Sequence, residues 1–370
     1  MKKILFITGP LNGGGAERVL IDILRHLDYG ECCVDMLQVA AGGVLIDEVP
    51  SGVNVLTAWR GYTPGYKMAL AASRCLGRHG LLRRRMEPIL AGKHYDVAIS
   101  AMEGIPAKCH AMITNIADRN YSWVHCDLDT FRYETAVFSN EAEEVNAYNS
   151  MTAVICVSND AEQAFKRRFA DVTSNVITIY NPIDTDKIAD MASKKIISNN
   201  CFTIAVCGRL TYQKRLDRVV SLAVKFKEHH IPAKIQIIGD GELRDDLQTQ
   251  CLKMGVADYV EFVGYVRNPY PYIKSADMLL STSGYEGFSL VLCEAMALGV
   301  PVISTKTAGP CEILDNNRYG LLCDHDDESI FRAVTTLFSD AALRQRYAQA
   351  GKERVKFFSP ERAINAISKL

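Results

Sequence analysis

The alternation of strand-like and helix-like segments along the whole chain is the feature that most restricts its fold. The first series reads KKILFIT, AERVLIDILRHL, CVDMLQV, YDVAIS, YSWVH and TAVICVS. Short apolar runs separated by amphipathic segments indicate parallel strands joined by crossover helices. A second series contains FTIAVCG, RLDRVVSLAVKFKEHH, AKIQIIG, GELRDDLQTQCLKMG, YVEFVG, ADMLLS, SLVLCEAMALG and PVIST. The sequence therefore predicts an α/β protein with two doubly wound, Rossmann-like domains in tandem.

The boundary between the two predicted domains falls at NPIDTDKI, where Pro182 ends the pattern after the apolar run NVITIY. We expect an N-terminal domain over residues 1–182 and a C-terminal domain over residues 183–356. A chain of 370 residues is long enough for two hydrophobic cores. The closing segment SPERAINAISKL predicts a helix with Ser359 as its cap and Pro360 in its first turn.

Composition places the chain among ordinary globular proteins, with 48% hydrophobic and 23% charged residues. No run approaches the roughly 20 apolar residues that a membrane-spanning helix needs.

The opening MKKILFIT has the charge of a signal peptide, but its apolar run is only about five residues before glycines end it. We interpret it as a buried strand and expect a cytoplasmic protein.

The twelve cysteines contain no CxxC pair, which argues against a zinc site. Cys156, Cys207 and Cys293 lie inside apolar runs, where a reduced thiol packs as a small hydrophobic group. We therefore expect reduced, structural cysteines, as in a reducing cytosol.

The net charge of −1 hides one strongly basic region, from residue 60 to residue 95. Its only acid is Glu87, and its basic residues are Arg60, Lys67, Arg74, Arg78, Arg83, Arg84, Arg85 and Lys93. Because the excess is local, the sequence does not predict nucleic-acid binding. Two readings remain open, a solvated helix face and a patch that contacts anionic lipid or a phosphorylated acceptor.

Two basic residues follow the strand-like run FTIAVCG, Arg209 directly after it and Lys214 five residues later. In an open α/β sheet, ligands bind beyond the carboxyl ends of the strands. A guanidinium and an ammonium there could neutralise a departing diphosphate. On its own this signal is weak, because basic residues at loop ends are usually solvated.

The segment STSGYEGFSLVLCEAMALGVPVIST carries two carboxylates, Glu286 and Glu294, seven residues apart. A helix is predicted to start at about Phe288 to Ser289, so that Glu286 precedes it and Glu294 lies two turns inside it. The free amides of the first turn suit phosphate or sugar oxygens. Glu294 stands among apolar residues, where a carboxylate needs a partner. We expect Glu286 to bind sugar hydroxyls and Glu294 to bind ribose.

The first domain places Gly14 and Gly15 in the turn GPLNGGGAE, which would let a diphosphate or sugar approach the backbone. The turn lacks the GxGxxG pattern of dinucleotide-binding domains. The second strand also does not end in an acid that could bind a ribose, since its only acid is Asp35, inside CVDML. A nicotinamide dehydrogenase is therefore disfavoured. In the second domain, IIGDGEL is another glycine turn, with a structural and a ligand-binding reading equally open.

His125 closes the strand-like run YSWVH and could contact a transferred sugar or simply be packed. Asp127 and Asp129 follow it as a DxD sequence. We interpret this pair as a capping turn before residues 130–134 rather than as a metal site.

These motifs together resemble family 4 retaining glycosyltransferases of the GT-B fold, in which two Rossmann-like domains face a central cleft. The resemblance covers nearly the whole chain, through GGGAER, WVH, NPID, GRLTYQKR, IGDGELRDDL, YEGFSLVLCEAMALGVPVIST and GLL. The segment from Glu286 to Glu294 is its most specific part, and the glycine turn is much less specific. One departure is TAGPCEIL, where Cys311 interrupts the family's usual glycines and PE and leaves the role of Glu312 open.

The resemblance implies a role for each candidate residue. Arg209 and Lys214 would bind the donor diphosphate, Glu286 the sugar, Glu294 the ribose, and His125 the transferred sugar. The catalytic set would be Glu286, His125, Arg209 and Lys214. The donor-binding set would be Gly14, Gly15, Arg209, Lys214, Glu286, Gly287, Phe288, Ser289, Leu290 and Glu294. The C-terminal helix, at about residues 357–370, would pack back on the first domain.

The implied reaction transfers a sugar from a nucleotide-diphosphate donor, expected to be a UDP-sugar, to an acceptor hydroxyl with retention of configuration. No cofactor or metal is expected, because protein cations would stabilise the leaving group. The basic region suits a lipid-linked saccharide acceptor in bacterial surface polysaccharide synthesis, with peripheral attachment to the inner face of the membrane left open. The alternatives are a nucleotide-sugar 2-epimerase and a sugar-binding protein without catalysis.

Overall fold

The computed structural model describes residues 1–129 and 137–370, so the segment 130–134 that the predicted capping turn would precede lies outside the described residues. The chain divides into two compact units. The first comprises Met1–Pro182 and Pro360–Leu370, and the second comprises Ile183–Ser359. Each unit is a parallel sheet covered by helices.

The first unit contains a seven-stranded sheet in the order β3-β2-β1-β4-β5-β6-β7, as far as the described residues show. Its strands are β1 (Lys2–Thr8), β2 (Cys32–Ala40), β3 (Val53–Trp59), β4 (Tyr95–Ser100), β5 (Ala117–Val124), β6 (Ala153–Cys156) and β7 (Asn175–Thr178). Every neighbouring pair is parallel, and Ile4 of β1 is level with Val34 of β2 and Val97 of β4. A parallel sheet needs both faces covered, which explains the continuous apolar runs of its central strands.

Helices follow most strands of this unit. They are α1 (Gly15–His26), α2 (Pro64–Leu76), α3 (Gly80–Leu90), α4 (Ile105–Ala111), α5 (Glu141–Asn149), α6 (Asn159–Arg168) and α15 (Pro360–Ser368). Pro360 is the first residue of α15, as the sequence predicted. This helix packs on α1, and Tyr121 Oη donates a hydrogen bond to the Leu370 carbonyl at 3.3 Å.

The second unit contains a six-stranded parallel sheet in the order β10-β9-β8-β11-β12-β13. Its strands are β8 (Phe202–Cys207), β9 (Ala233–Ile238), β10 (Val260–Gly264), β11 (Met278–Ser281), β12 (Val302–Thr305) and β13 (Leu321–Cys323). Its helices are α7 (Thr185–Ser193), α8 (Asp217–Glu228), α9 (Arg244–Met254), α10 (Tyr270–Ser275), α11 (Leu290–Ala297), α12 (Ala308–Leu314), α13 (Asp327–Ser339) and α14 (Ala341–Val355). The prediction of two doubly wound α/β units is confirmed.

Two further observations bear on the sequence predictions. Among the described residues, no helix has both the length and the apolar character to cross a bilayer. All twelve cysteines are free thiols, and Cys156 and Cys293 are buried in the core as predicted.

Candidate functional site

A small pocket lies at the carboxyl ends of β8 and β11, the neighbouring strands between which the sheet of the second unit reverses its order. Such a switch point is the usual ligand site of an open α/β sheet. The pocket lining includes Gly208, Arg209 and Lys214 after β8 and Thr282 and Ser283 after β11. The structure thus brings the two predicted cations to one pocket.

Two glycines allow the loops beside this pocket to touch. Gly239 has a φ of 145°, and a Cβ there would lie 1.9 Å from the Gly208 carbonyl oxygen. A Cβ on Gly241 would lie 2.5 Å from the Leu210 carbonyl oxygen. The glycine turn IIGDGEL therefore has a packing reason, because only glycine permits this approach.

Lys214 and Glu286 form an ion pair at the pocket, with Nζ 2.5 Å from Oε1. Ser283 Oγ donates a second hydrogen bond to the same oxygen at 2.8 Å. Glu286 is only 7% exposed, so its charge needs these donors. The predicted diphosphate-binding cation and the predicted sugar-binding carboxylate are therefore direct partners.

The loop after β8 and the loop after β11 are joined by hydrogen bonds on both sides of this pair. Gly284 N–H donates to the Gln213 carbonyl at 2.8 Å, and Gln213 Nε2 donates to the Tyr285 carbonyl at 3.0 Å. Thr282 Oγ1 donates to the Lys214 carbonyl at 2.9 Å. These bonds fix the backbone that carries both members of the ion pair.

Arg218, on α8, contacts the loop that follows β11. The sequence analysis did not predict a role for this residue. It is 7% exposed, and its Nη1 donates to the Thr282 carbonyl at 2.8 Å and contacts His325 Nδ1 at 3.2 Å. Burial lowers the pKa of this guanidinium. Since 64 residues separate Arg218 from Thr282, local sequence patterns carry no signal for the contact.

Arg209 is exposed, and its guanidinium makes no hydrogen bond or ion pair with any residue in the ranges 1–129 and 137–370. A free cation at a pocket that also holds Lys214 is suited to a diphosphate, which accepts bidentate hydrogen bonds.

Helix α11 begins at Leu290, slightly later than the sequence predicted. Its cap is Ser289, so Phe288 precedes the helix, and its ring packs edge-on against Phe358 at 5.2 Å. The unpaired amides of the first turn consequently start at Ser289 rather than at Phe288. Ser289 Oγ is buried and has no hydrogen-bond partner among the described residues.

Glu294 lies within α11 and is half-buried. Tyr270 Oη donates a hydrogen bond to its Oε1 at 3.0 Å. The expectation that this carboxylate needs a partner is therefore met, at least in part, by a tyrosine from α10. The sequence carried no signal for Tyr270, because the two residues meet only through the packing of α10 on α11.

The departure TAGPCEIL forms the N-cap and the whole of α12, and it contacts the loop that carries Glu286. Gly309 N–H donates to the Glu286 carbonyl at 3.0 Å, and a Cβ on Gly309 would lie 2.6 Å from Phe288 Cα. Cys311 leaves this close approach intact. Glu312 instead lies beside Arg354, whose Nη2 donates to the Glu312 carbonyl at 2.8 Å.

Gly287 lies between Glu286 and Phe288, in the loop before α11. The other predicted residues belong to the first unit. Gly14 caps α1, and Gly15 is its first residue. His125 follows β5 directly, and its ring stacks on Trp123 with 5.6 Å between centroids. Burial lowers the pKa of His125 below its ordinary value, against the opposing effects of Glu103 and the backbone of Ala101.

The DxD sequence has the geometry of a turn, because Asp129 N–H donates to Asp127 Oδ1 at 3.1 Å. Over residues 1–129 and 137–370, no cluster of three or more histidine, cysteine or acidic side chains could hold a metal ion.

Two Rossmann-like units of this kind make up the GT-B fold of glycosyltransferases, and comparison with known structures assigns this fold to the chain. The Anabaena protein HepE, solved in complex with UDP, has a TM-score of 0.76 and 21% identity, with 100% of this chain and 99% of that chain covered. At this identity the likeness shows the fold alone.

Residues 188–354, most of the second unit, match the family model described as glycosyl transferases group 1. A curated relative is the N-acetylgalactosamine-N,N'-diacetylbacillosaminyl-diphospho-undecaprenol 4-alpha-N-acetylgalactosaminyltransferase of Campylobacter jejuni. It is 31% identical over 182 residues, which cover 49% of each chain. An amylovoran biosynthesis glycosyltransferase of Erwinia amylovora is 28% identical over 207 residues, 55% of this chain and 56% of its own. The chain thus spans about half the length of the curated relatives it matches.

Proposed function

We propose that this protein is a retaining glycosyltransferase of family 4 that transfers a hexose-type sugar from a UDP-sugar to an acceptor hydroxyl. The observation that carries the proposal is the Lys214–Glu286 pair at the switch point of the second unit. Beside it are the start of α11 and Arg209, whose guanidinium has no partner among the described residues. Similarity to a structure that holds UDP and to curated glycosyltransferases supports the donor class and the activity.

In this mechanism the second unit binds the donor. Arg209 and Lys214 neutralise the diphosphate, and the first-turn amides of α11 donate to phosphate or sugar oxygens. Glu286 accepts hydrogen bonds from sugar hydroxyls. Glu294, oriented by Tyr270, accepts hydrogen bonds from the ribose hydroxyls.

The transfer step breaks the bond between the anomeric carbon and the β-phosphate oxygen and forms a bond from the acceptor oxygen on the same face. The departing phosphate oxygen takes the acceptor's proton, so the products are a glycoside and UDP. Protein cations supply the charge stabilisation, and the reaction needs no metal. Full turnover in EDTA would support this last point, whereas recovery only on addition of Mg²⁺ or Mn²⁺ would contradict it.

We propose a lipid-linked saccharide in bacterial surface polysaccharide synthesis as the acceptor. The relatives carry this argument, because one is named for an undecaprenol-linked acceptor and another for amylovoran biosynthesis. The protein would then act in the cytoplasm, at the inner face of the membrane.

The surface of α2 and α3 supports such an attachment. Arg74, Arg78 and Arg84 are exposed, and their guanidinium groups have no ion partner in the described ranges. Large apolar side chains are exposed on the same helices, with Leu76 at 65% and Leu81 at 44%. Cations interleaved with exposed apolar groups suit an anionic bilayer surface.

Some leucines of this basic region pack into the core of the first unit, and others are exposed to solvent. Leu82 is fully buried, and half-buried Leu70 packs against the same core, whereas Leu76 and Leu81 face solvent. Of the neighbouring arginines, Arg83 pairs with Glu87 at 2.7 Å, and Arg85 Nε donates to the Ala58 carbonyl at 2.7 Å.

A thermal-shift screen of nucleotide sugars tests the donor class, because a true donor stabilises the fold by mass action. The donor found is then incubated with lipid-linked saccharides, and the anomeric configuration of the product is read by NMR. An α-linked product from an α-linked donor is expected. An inverted product would refute retention, and an epimerised nucleotide sugar would favour the epimerase alternative.

A further inference from the structure

His325 lies in the loop between β13 and α13, at the carboxyl end of a strand of the second unit's sheet. It is exposed to solvent and has no role in the function proposed above. Its ring contacts Arg218 on α8 and the backbone of Lys306, which directly follows β12. His325 therefore links α8 to the end of β12, the strand that pairs with β11.

These two contacts assign the hydrogen of the imidazole to one nitrogen. Arg218 Nη1 lies 3.2 Å from His325 Nδ1, and a guanidinium can only donate, so Nδ1 must accept with its lone pair. His325 Nε2 lies 2.8 Å from the Lys306 carbonyl oxygen, so Nε2 must donate. The arrangement is that of a neutral ring with its hydrogen on Nε2. A protonated ring would turn a second N–H towards the guanidinium and lose this hydrogen bond.

Arg218, the partner of His325, also holds the loop that follows β11. Its Nη1 uses one hydrogen for the Thr282 carbonyl at 2.8 Å and the other for His325. Because Arg218 is buried, an N–H that loses its acceptor there has little water to replace it. Loss of the bond to His325 therefore disfavours the position in which Arg218 holds Thr282.

The loop held by Arg218 carries both members of the candidate site's ion pair in place. Thr282 Oγ1 donates to the Lys214 carbonyl at 2.9 Å. Ser283 Oγ, one residue further on, donates to Glu286 Oε1 at 2.8 Å. A continuous path of hydrogen bonds and peptide links thus joins His325 to the pair.

Charged groups of both signs surround this histidine. Arg218 is the cation that faces Nδ1, whereas the ammonium of Lys306 pairs with Asp324 at 2.7 Å. The other charged or titratable groups that act on this region are Arg215, Asp217, Cys323, Asp326, Asp327 and Arg332. Protonation of the ring is opposed most directly by Arg218, because the new hydrogen would point at it.

We propose that His325 is a positioning residue for the donor site: through Arg218, its neutral ring holds the loop after β11 in the form that binds the donor diphosphate. Protonation of the ring breaks this link and weakens donor binding. His325 thus makes donor binding sensitive to acid, and this assignment rests on the proposed function.

Calorimetric titration of the full chain with UDP from about pH 7.5 to about pH 5.5 tests the proposal, because this range brackets the ordinary pKa of histidine, about 6.5. His325→Asn cannot titrate, and its side-chain oxygen can still accept from Arg218. His325→Leu offers no acceptor at any pH. His230→Asn is the matched control, since it removes another exposed histidine of the same unit at a φ of 52°, which asparagine tolerates.

We expect His325→Leu to bind UDP about tenfold more weakly than the wild type at pH 7.5, the effect of losing one hydrogen bond to a charged group. Between pH 7.5 and pH 5.5, the Kd of the wild type should rise about fivefold more than that of His325→Asn, because the ring is then only partly protonated. The terminal phosphate of UDP also titrates near pH 6, at about the second pKa of a phosphate, but this effect is common to both proteins and cancels in their ratio. His230→Asn should follow the wild type throughout.

The proposal is overturned if wild type and His325→Asn lose UDP affinity in parallel, or if His325→Leu binds UDP as tightly as the wild type at pH 7.5. Long-range ¹H–¹⁵N NMR of the histidine rings adds a readout that needs no ligand, with His325→Asn assigning the resonance. We expect a hydrogen on Nε2 and none on Nδ1 at pH 7.5, and the opposite tautomer would also overturn the proposal. A wild type that binds UDP at no pH would refute the proposed function instead, and the tautomer would still test the link between His325 and Arg218.

Discussion

Lys214 Nζ lies 2.5 Å from Glu286 Oε1, and the carboxylate is the more deeply buried of the two groups, with its side chain 9% exposed against 23% for the lysine. Each group therefore provides much of the other's charge compensation. A donor diphosphate that draws the ammonium towards itself would free Glu286 to accept sugar hydroxyls. Under the proposed function, the pair would connect diphosphate binding to sugar binding through one contact.

We predict that Lys214→Ala lowers both turnover and stability. Loss of the cation should reduce kcat/KM by roughly 10²–10³, as for other groups that stabilise transition-state charge. Among the described residues it also leaves a nearly buried carboxylate with Ser283 as the only side-chain donor, at a cost of roughly 2 kcal/mol of unfolding free energy. Calorimetric unfolding and donor turnover measure the two effects.

The double variant Lys214→Met, Glu286→Gln serves as the control, because it removes both charges together. It should recover most of the lost stability and none of the turnover. Equal stability of wild type and Lys214→Ala would contradict the view that the pair compensates a buried charge.

Arg209→Ala should lower turnover without lowering the stability of the fold. Because this guanidinium is exposed and has no partner in the described residues, its removal should change the melting temperature by less than about 1 °C. Turnover should still fall by roughly 10²-fold if the group binds the diphosphate. Near-normal kcat/KM in this variant would remove Arg209 from the donor site.

Most of the fold was readable from the sequence, because buried parallel strands appear as short apolar runs. KKILFIT and YDVAIS coincide with β1 and β4. Strand β3, Val53–Trp59, was missed because it lies at the sheet edge, where its residues alternate irregularly between buried and exposed positions. Strand β13 has only three residues, too few for a periodic pattern.

The sequence predicted only those parts of the candidate site whose residues are close together along the chain. Glu286 and Glu294 share one segment, and the apolar residues around Glu294 indicated that this carboxylate needs a partner. The partners themselves come from elsewhere, Tyr270 from 24 residues away and Lys214 from 72 residues away. The start of α11 was misplaced for a related reason, since Phe288 is held by Phe358, which belongs to a different segment.

Tyr270→Phe should weaken UDP binding less than Glu294→Ala does. The phenol donates a hydrogen bond of 3.0 Å to Glu294, whereas the carboxylate itself is proposed to bind ribose. We expect a loss of roughly threefold for Tyr270→Phe and roughly tenfold or more for Glu294→Ala. Titration of UDP by calorimetry measures both, with Glu286→Ala as the comparison that should retain UDP affinity. Equal losses in the Glu286 and Glu294 variants would contradict the division of roles.

His110 should make the first unit less stable in acid. Burial lowers the pKa of His110 from an ordinary value of 6.5 to about 4, although its hydrogen bond to Asn120 opposes the shift. The unfolded chain therefore binds a proton that the folded chain refuses between these two pH values. Stability is complete above pH 6.5 and falls as the pH drops towards 4, by roughly 3 kcal/mol from this group.

Urea unfolding followed by tryptophan fluorescence tests this dependence, because Trp59 and Trp123, the two tryptophans, both belong to the first unit. His110→Asn cannot titrate, so its stability should fall less between pH 7.5 and pH 4.5 than that of the wild type. Parallel pH curves for the two proteins would show that His110 is not responsible.

The surface of α2 and α3 should bind anionic vesicles in a salt-dependent manner. Each basic side chain near anionic lipid contributes about 1 kcal/mol, and this attraction fades within a Debye length of about 10 Å at 0.1 M salt. Arg74, Arg78 and Arg84 are the appropriate residues to change, because neighbouring Arg83 already pairs with Glu87. We expect flotation with phosphatidylglycerol vesicles at low salt and release at high salt.

Replacing Arg74, Arg78 and Arg84 together by Ser should weaken this binding at least tenfold. A control with three exposed cations of the second unit changed to Ser, Lys253, Lys274 and Arg332, removes the same charge without touching the surface. Leu76→Ser with Leu81→Ser tests the apolar contribution separately and should reduce binding even at low salt. If the control triple variant loses as much binding as the arginine variant, overall charge rather than this surface attracts the vesicles. If the wild type does not float at all, the attachment is wrong, and the arginines only solvate the helices.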